Sequence, residues 1–257
     1  MSKISSKEKD ELFDFYVKEA EHPFSGWDFS YIEDRMVTAP FTWSYSSKIL
    51  PVIRKVDSVL DMGTGGGEFF SSLQPLPKYS YATESYDPNF LIAKRMLEPL
   101  GVKVVKHEND DNLPFNDEFF ELIINRHESY SVKEIFRILK HEGLFITQQV
   151  GGTNDNQLRK LLTGEEGSEY ADWNVDFAAE ELVSAGFTIL EKEECFPITR
   201  YFDIGTIVYH LLAVPWEVPG FTVEKYVKQL KEVHNHILTT GYLEVESHRF
   251  YIKALKH

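Results

Sequence analysis

The residues best equipped for chemistry gather in one turn, Asp61-Met62-Gly63-Thr64-Gly65-Gly66-Gly67-Glu68, which follows the apolar run Val59-Leu60. Glycine at 63 and 65 removes the Cβ atoms that would hold a ligand off the backbone. A helix opening there offers free N–H groups. Three kinds of ligand use such a turn. The dinucleotide fingerprint Gly-x-Gly-x-x-Gly needs a glycine at its sixth place, where this chain has Glu68. A P-loop ends in Gly-Lys-Ser/Thr, and no such lysine follows. Glu68 also sets negative charge where phosphates would sit. An amino-acid zwitterion joined to a nucleoside fits instead, with Asp61 attracting its ammonium group. A tight corner without a ligand is the bland alternative, and other residues argue against it. Glu84, followed by Ser85, ends the second apolar run, where a carboxylate can accept both hydroxyls of a ribose. Asn109-Asp110 follows the third run, where an amide and an acid can read an adenine edge. The fourth ends in Asn125-Arg126-His127-Glu128.

These residues need a scaffold that brings strand ends together. Strands are expected over 57–62, 79–85, 102–107, 119–125 and 144–150, with helices over 66–74, 89–100 and 132–140, the last closed by Glu142-Gly143. Such alternation implies an α/β fold: a seven-stranded, mostly parallel, Rossmann-like sheet with helices on both faces. A helix over 176–185, a strand over 187–195 and a final strand over 246–256 complete it. Helices are also expected over 7–20, 204–213 and 222–238, and a loop or short helix over 151–172.

The chain has 257 residues, enough for one large α/β domain with an addition. Its net charge of −14 makes it a poor partner for polyanions, so nucleic acid is disfavoured. The single cysteine, Cys195, rules out an intrachain disulfide and a cysteine zinc cluster. His234 and His236, two apart on a helix, do not face each other, so no metal is expected. No apolar run is long enough for a membrane span, and a polar, lysine-containing start suggests a cytoplasmic protein.

With these motifs in place, the chain resembles the class I S-adenosylmethionine-dependent methyltransferases, in particular the small-molecule domain of the ubiquinone-biosynthesis type. The resemblance spans about residues 56–150. It rests on the glycine turn, on Glu84, on Leu113-Pro114-Phe115-Asn116-Asp117-Glu118-Phe119-Phe120-Glu121-Leu122-Ile123 and on Glu134-Ile135-Phe136-Arg137-Ile138-Leu139-Lys140-His141-Glu142-Gly143. It implies S-adenosyl-L-methionine as cofactor. Asp61, Gly63, Thr64 and Gly65 would surround the methionine part, Glu84 and Ser85 the ribose, Asn109 and Asp110 the adenine, with Asn125 at the neighbouring strand end. Thr64 stands where the family commonly has Cys or Ser, Asn109 where it often has Asp, and His141-Glu142-Gly143 replaces a usual Pro-Gly ending.

Methyl transfer is an in-line displacement, so the protein mainly positions the nucleophile and excludes water. His127 falls beside the expected methyl group and is a candidate general base, or else packs against the cofactor; Glu128 orients it or is solvated. The chain lacks the Asn/Asp-Pro-Pro-aromatic turn of DNA base-amino methyltransferases and the paired cysteines of cytosine C5 chemistry. Residues 1–47 are expected to form a helical, aromatic lid, and 48–257 the methyltransferase domain, with 196–240 inserted as a substrate cap. Trp27, Trp43 and Trp216 are the expected acceptor contacts. A small-molecule acceptor is the leading reading. An RNA methyltransferase and a non-catalytic cofactor-binding or interaction protein are the alternatives.

Overall fold

The computed structural model describes residues 5–24, 29–167 and 169–257. In chain order the described strands are β1 (Met36–Thr38), β2 (Ser58–Met62), β3 (Tyr79–Glu84), β4 (Lys103–Lys106), β5 (Phe120–Arg126), β6 (Leu139–Val150), β7 (Phe187–Cys195), β8 (Ile198–Tyr201), β9 (Leu243–Glu246) and β10 (Arg249–Lys256). The α-helices are α1 (Ser6–Val17), α2 (Tyr45–Ile53), α3 (Glu68–Ser72), α4 (Asp87–Leu97), α5 (Val132–Ile138), α6 (Asn156–Thr163), α7 (Val175–Ser184), α8 (Ile204–Ala213) and α9 (Val223–Thr240). The chain divides into two compact units. The first comprises residues 1–40, 152–171 and 196–248; the second comprises 41–151, 172–195 and 249–257.

The second unit is built on a seven-stranded sheet in the order β4-β3-β2-β5-β6-β10-β7. Its first five strands are parallel, and β10 runs antiparallel to β6 and β7. Central β2 and β5 read as unbroken apolar runs because helices cover both faces: Val59, Leu60, Leu122, Ile123 and Ile124 are all fully buried. Edge strand β7 alternates instead between covered and exposed positions. The registers Asp61↔Ala82 and Met62↔Asn125 bring the carboxyl ends of β2, β3 and β5 level. Residues that follow those strands therefore emerge along one edge.

The two longer sequence motifs form a clamp behind that edge. Arg137 on α5 bonds to both carboxylate oxygens of Glu134, at 2.8 and 2.6 Å, and donates to the carbonyls of Phe115 and Leu113. Buried Glu134 also accepts from the Leu113 N–H at 2.8 Å. The loop before β5 is thus pinned to the helix after it.

The first unit has a three-stranded antiparallel sheet, β1-β8-β9, with α1, α6, α8 and α9. Phe13, Leu158, Tyr201, Ile207 and Leu230 belong to its core. Asp203 caps α8 through the Thr206 N–H and holds Arg35 by two bonds of 2.8 and 2.6 Å.

Several elements depart from the expectation. Helix α5 stops at Ile138, and Leu139 already pairs with Phe120. Residues 140–143 make an irregularity in β6, with Glu142 at φ 62°, so Glu142-Gly143 marks a bulge rather than a helix end. The last strand begins at Arg249, and 243–246 is a separate strand of the other sheet. Residues 41–47 pack with the seven-stranded unit, while 152–171 join the first unit together with the N-terminal segment and 196–248. Among the described residues no helix is long and apolar enough to cross a membrane.

Arg137→Ala leaves Glu134 as a buried charge without its partner. It should lower unfolding stability by about 3 kcal/mol, in the range for a broken buried pair, read from urea denaturation. A loss within the roughly 0.5 kcal/mol of ordinary surface substitutions would mean the clamp is ornamental.

Candidate active site

The glycine turn is stitched to its neighbour β3 by backbone and side-chain bonds. Thr64 N–H donates to the Thr83 carbonyl at 2.9 Å, and Gly63 N–H to the Thr83 hydroxyl at 3.3 Å. Gly65 N–H donates to Glu84 Oε2 at 2.8 Å. Tyr86 N–H donates to the other oxygen of Glu84, also at 2.8 Å. The carboxylate is therefore fixed before any ligand arrives. Gly63 and Gly65 both sit at φ 61°, in the left-handed region that glycine enters without strain. A Cβ on Gly63 would lie 2.5 Å from the Glu128 side chain. A Cβ on Gly65 would point into open space, so that position is a cradle rather than a packed corner.

Glu128 reaches Gly63 because the residue before it bends the chain. His127, directly after β5, has φ 62°, a conformation that costs a non-glycine residue of order 1 kcal/mol and more. The bend is held by the His127 N–H donating to the Gln148 carbonyl at 2.8 Å. Glu128 then lines a cleft with Met62, Gly63, Glu84, Asp110 and Ser129.

That cleft carries unbalanced negative charge. Burial pushes the Asp61 carboxyl up to about 7, with Glu84 adding to the shift against the Thr64 hydroxyl and Arg126. Burial likewise raises Glu128 to about 7, with Asp110 and then Glu84 contributing. Glu84 is raised by burial too, although three backbone N–H groups pull it back. Among the described residues, no lysine or arginine lines the cleft. Glu84 and Glu128 line the cleft while Asp61 lies buried beneath the turn, so a cation placed there would relieve the two lining carboxylates directly, whereas a pyrophosphate would worsen their repulsion.

His127 departs from its expected role. Trp43 Nε1–H, which can only donate, bonds to Gln148 Oε1 at 2.9 Å. That fixes the Gln148 amide, so its Nε2 donates to His127 Nε2 at 3.1 Å. The imidazole therefore accepts at Nε2 and carries its proton on Nδ1. Packing around the ring and the guanidiniums of Arg249 and Arg126 push its pKa down, although the residue is exposed to solvent. A ring with one nitrogen occupied and the other protonated is a hydrogen-bond donor, not a general base.

Comparison with known proteins bears on this geometry. Residues 60–147 match the family model described as a methyltransferase domain. The match covers β2 to β6, the part of the large sheet that carries the glycine turn and the cleft. A putative methyltransferase from Bacillus halodurans is 18% identical, with a TM-score of 0.59 over 82% of this chain and 98% of that one. A functionally unknown protein from Deinococcus radiodurans is 13% identical, with a TM-score of 0.57 over 96% and 100%. The [4+2]-cyclase SpnF is 15% identical, with a TM-score of 0.51 over 82% and 80%. At such identities the likeness establishes the fold alone, and a cyclase among the neighbours shows why the site must carry the argument. No curated protein sequence matches the chain.

Around the cleft, the remaining candidates separate. Glu84, Gly63, Ser85, Asp110 and Glu128 meet at the cleft, and Ser129 donates to Asp110 at 2.6 Å. Thr64 turns its hydroxyl to Asp61 at 2.6 Å, so it anchors the acid beneath the turn. Asn109 is exposed and spends its side-chain oxygen on the Asp111 N–H, which shapes the loop and leaves the strand-end polar role to Asp110. Asn125 is fully buried, and its oxygen accepts from Thr147 and Gln149, so it braces β5 and β6 rather than reaching the cleft. Trp43 is a core residue of this unit beside Phe41 and Tyr251, not an acceptor contact. Trp216 is 52% exposed in the first unit. Trp27 lies outside the described residues. Sequence reasoning missed Thr83, His107, Glu108 and Ser129 at the cleft, although all sit at or just beyond strand ends.

Nitrogen-detected NMR should find the His127 ring neutral from about pH 5 to 8, with its proton on Nδ1. Gln148→Glu should raise its pKa by supplying an acceptor for Nε2. A wild-type titration near 6.5, or a proton on Nε2, would restore the general-base role.

Proposed function

We propose that this chain transfers the methyl group of S-adenosylmethionine to a small-molecule acceptor. The observation that carries this is the acidic, lysine- and arginine-free cleft around an open glycine turn, which suits a cationic amino-acid nucleoside and disfavours a dinucleotide. Glu84, held by Gly65 and Tyr86, is placed to accept the ribose hydroxyls. Asp110, supported by Ser129, would face the adenine edge. Asp61 and the backbone at Gly63 and Gly65 would meet the ammonium and carboxylate of the methionine part. When bound, the cofactor supplies an electrophilic methyl group on a sulfonium.

The chain's own residues do the rest. Glu128 lies against Gly63 and titrates near neutrality in the free protein. A cation beside it lowers its pKa, so at pH 7 it becomes the ionised group able to take a proton from the acceptor. His127 keeps its Nδ1–H for an acceptor oxygen. The net charge of −14 supports a small molecule over RNA.

Incubation of the protein with methyl-labelled cofactor, a metabolite extract and total RNA tests this reading. Label should enter the small-molecule fraction. Label in RNA, or in neither fraction despite cofactor binding, would overturn the acceptor class or the transfer. Glu84→Ala should weaken cofactor binding by about 1.5–3 kcal/mol, the range for hydrogen bonds to a charged group; an unchanged dissociation constant in a folded variant removes Glu84 from the site.

A further inference from the structure

Asp155, His210 and Glu217 meet inside the first unit, and the function proposed above uses none of them. Asp155 precedes α6, His210 lies in the last turn of α8, and Glu217 lies in the turn that follows α8. One potential ligand atom from each lies within 4.8 Å of the other two. His210 Nε2 is 2.9 Å from Glu217 Oε2 and 3.6 Å from Asp155 Oδ2. Neighbouring donor atoms around an ion with bonds of about 2.0–2.2 Å stand roughly 3 Å apart, so these separations need little adjustment.

Burial and hydrogen bonding single out the group. Asp155 is 5% exposed, and the side chains of His210 and Glu217 are 12% exposed each. Two carboxylates this close and this covered require a positive partner. The Asn154 amide donates to Asp155 Oδ2 and to Glu217 Oε1, both at 3.0 Å, as an outer residue does when it orients two ligands. These bonds leave one oxygen over. Asp155 Oδ1 is buried on the carboxylate that faces the imidazole, and it has no hydrogen-bond partner. Such an atom costs stability unless something satisfies it. The backbone of Asp155 is also held at φ 52°, with its N–H donating to the Glu246 carbonyl at 3.0 Å. A non-glycine residue in that region is the kind of strain that accompanies ligand sites.

We propose that Asp155, His210 and Glu217 bind one divalent transition-metal ion of the zinc or manganese type, tying the start of α6 to the end of α8. One imidazole nitrogen with two carboxylate oxygens suits that class better than copper(I), which prefers sulfur, or calcium, which prefers an all-oxygen shell. The pair considered from sequence plays no part: His234 Nε2 contacts the Lys9 carbonyl. The competing occupant of the site is a proton on His210, which would leave an imidazolium between two carboxylates.

The test uses the full chain, stripped with a chelator, incubated with zinc or manganese chloride, desalted and measured for metal content and thermal unfolding. One ion per chain should be retained, with a melting temperature several degrees above that of the stripped protein. Glu217→Gln keeps shape and hydrogen bonding and should weaken retention at least tenfold, whereas His257→Gln at the exposed C-terminus should not. His210→Gln should match Glu217→Gln; if it fails to fold, Glu217→Gln decides. A stripped protein that neither retains the ion nor changes its melting temperature would overturn the site in favour of the imidazolium. Equal retention by Glu217→Gln would overturn it as surface binding.

Discussion

Asp61, Glu84 and Glu128 are forced together around one glycine turn, and burial pushes each of them toward its neutral form. The sheet is arranged to sustain that concentration of charge. Level strand ends at β2, β3 and β5 deliver the three acids, and backbone N–H groups hold Glu84 in place. Left-handed geometry at Gly63 and His127 lets the Glu128 side chain close over the turn. A protein gains nothing from such crowding unless a cation arrives to relieve it. The acidic cleft is therefore the feature on which the proposed cationic cofactor rests.

Behind the cleft, neutral amides and one indole set the state of the histidine. Trp43 fixes Gln148, and Gln148 fixes His127. Asn125, Thr147 and Gln149 form a second buried network that braces the same two strands. Each strand thus carries a polar layer just beneath its functional end. That layer supports the bend at His127 and leaves the neighbouring acid, rather than the imidazole, as the group that titrates near neutrality.

Much of this architecture was legible in the chain. Glycine punctuation and apolar runs place all seven strands of the large sheet, because buried parallel strands leave a strong local signal. The small sheet left none. Strands β1, β8 and β9 are three or four residues long, and β1 pairs with β8 across more than 160 residues of sequence. Helix α2 leaves no clear signal, because Pro51 and the surrounding aromatics disguise its period. Leu139 carries a helical pattern in the sequence, and only its pairing with Phe120 shows that it is strand. At the site, residue types at strand ends identified Glu84, Asp110 and Glu128. The role of His127 could not be read, since it is set by Gln148 and Trp43, which are 21 and 105 residues apart from their respective partners. Asn109 failed for the opposite reason, because a local turn captured its side chain.

The central claim is that the cleft is built for a cation at the cost of strained carboxyls. Calorimetric titration near pH 7, repeated in buffers of differing ionisation enthalpy, tests it most directly. Asp61 and Glu128 are partly protonated in the free protein, so binding of S-adenosylmethionine should release protons, and NAD should give no binding heat. Binding of NAD, or uptake of S-adenosylmethionine with no proton release, would contradict the account.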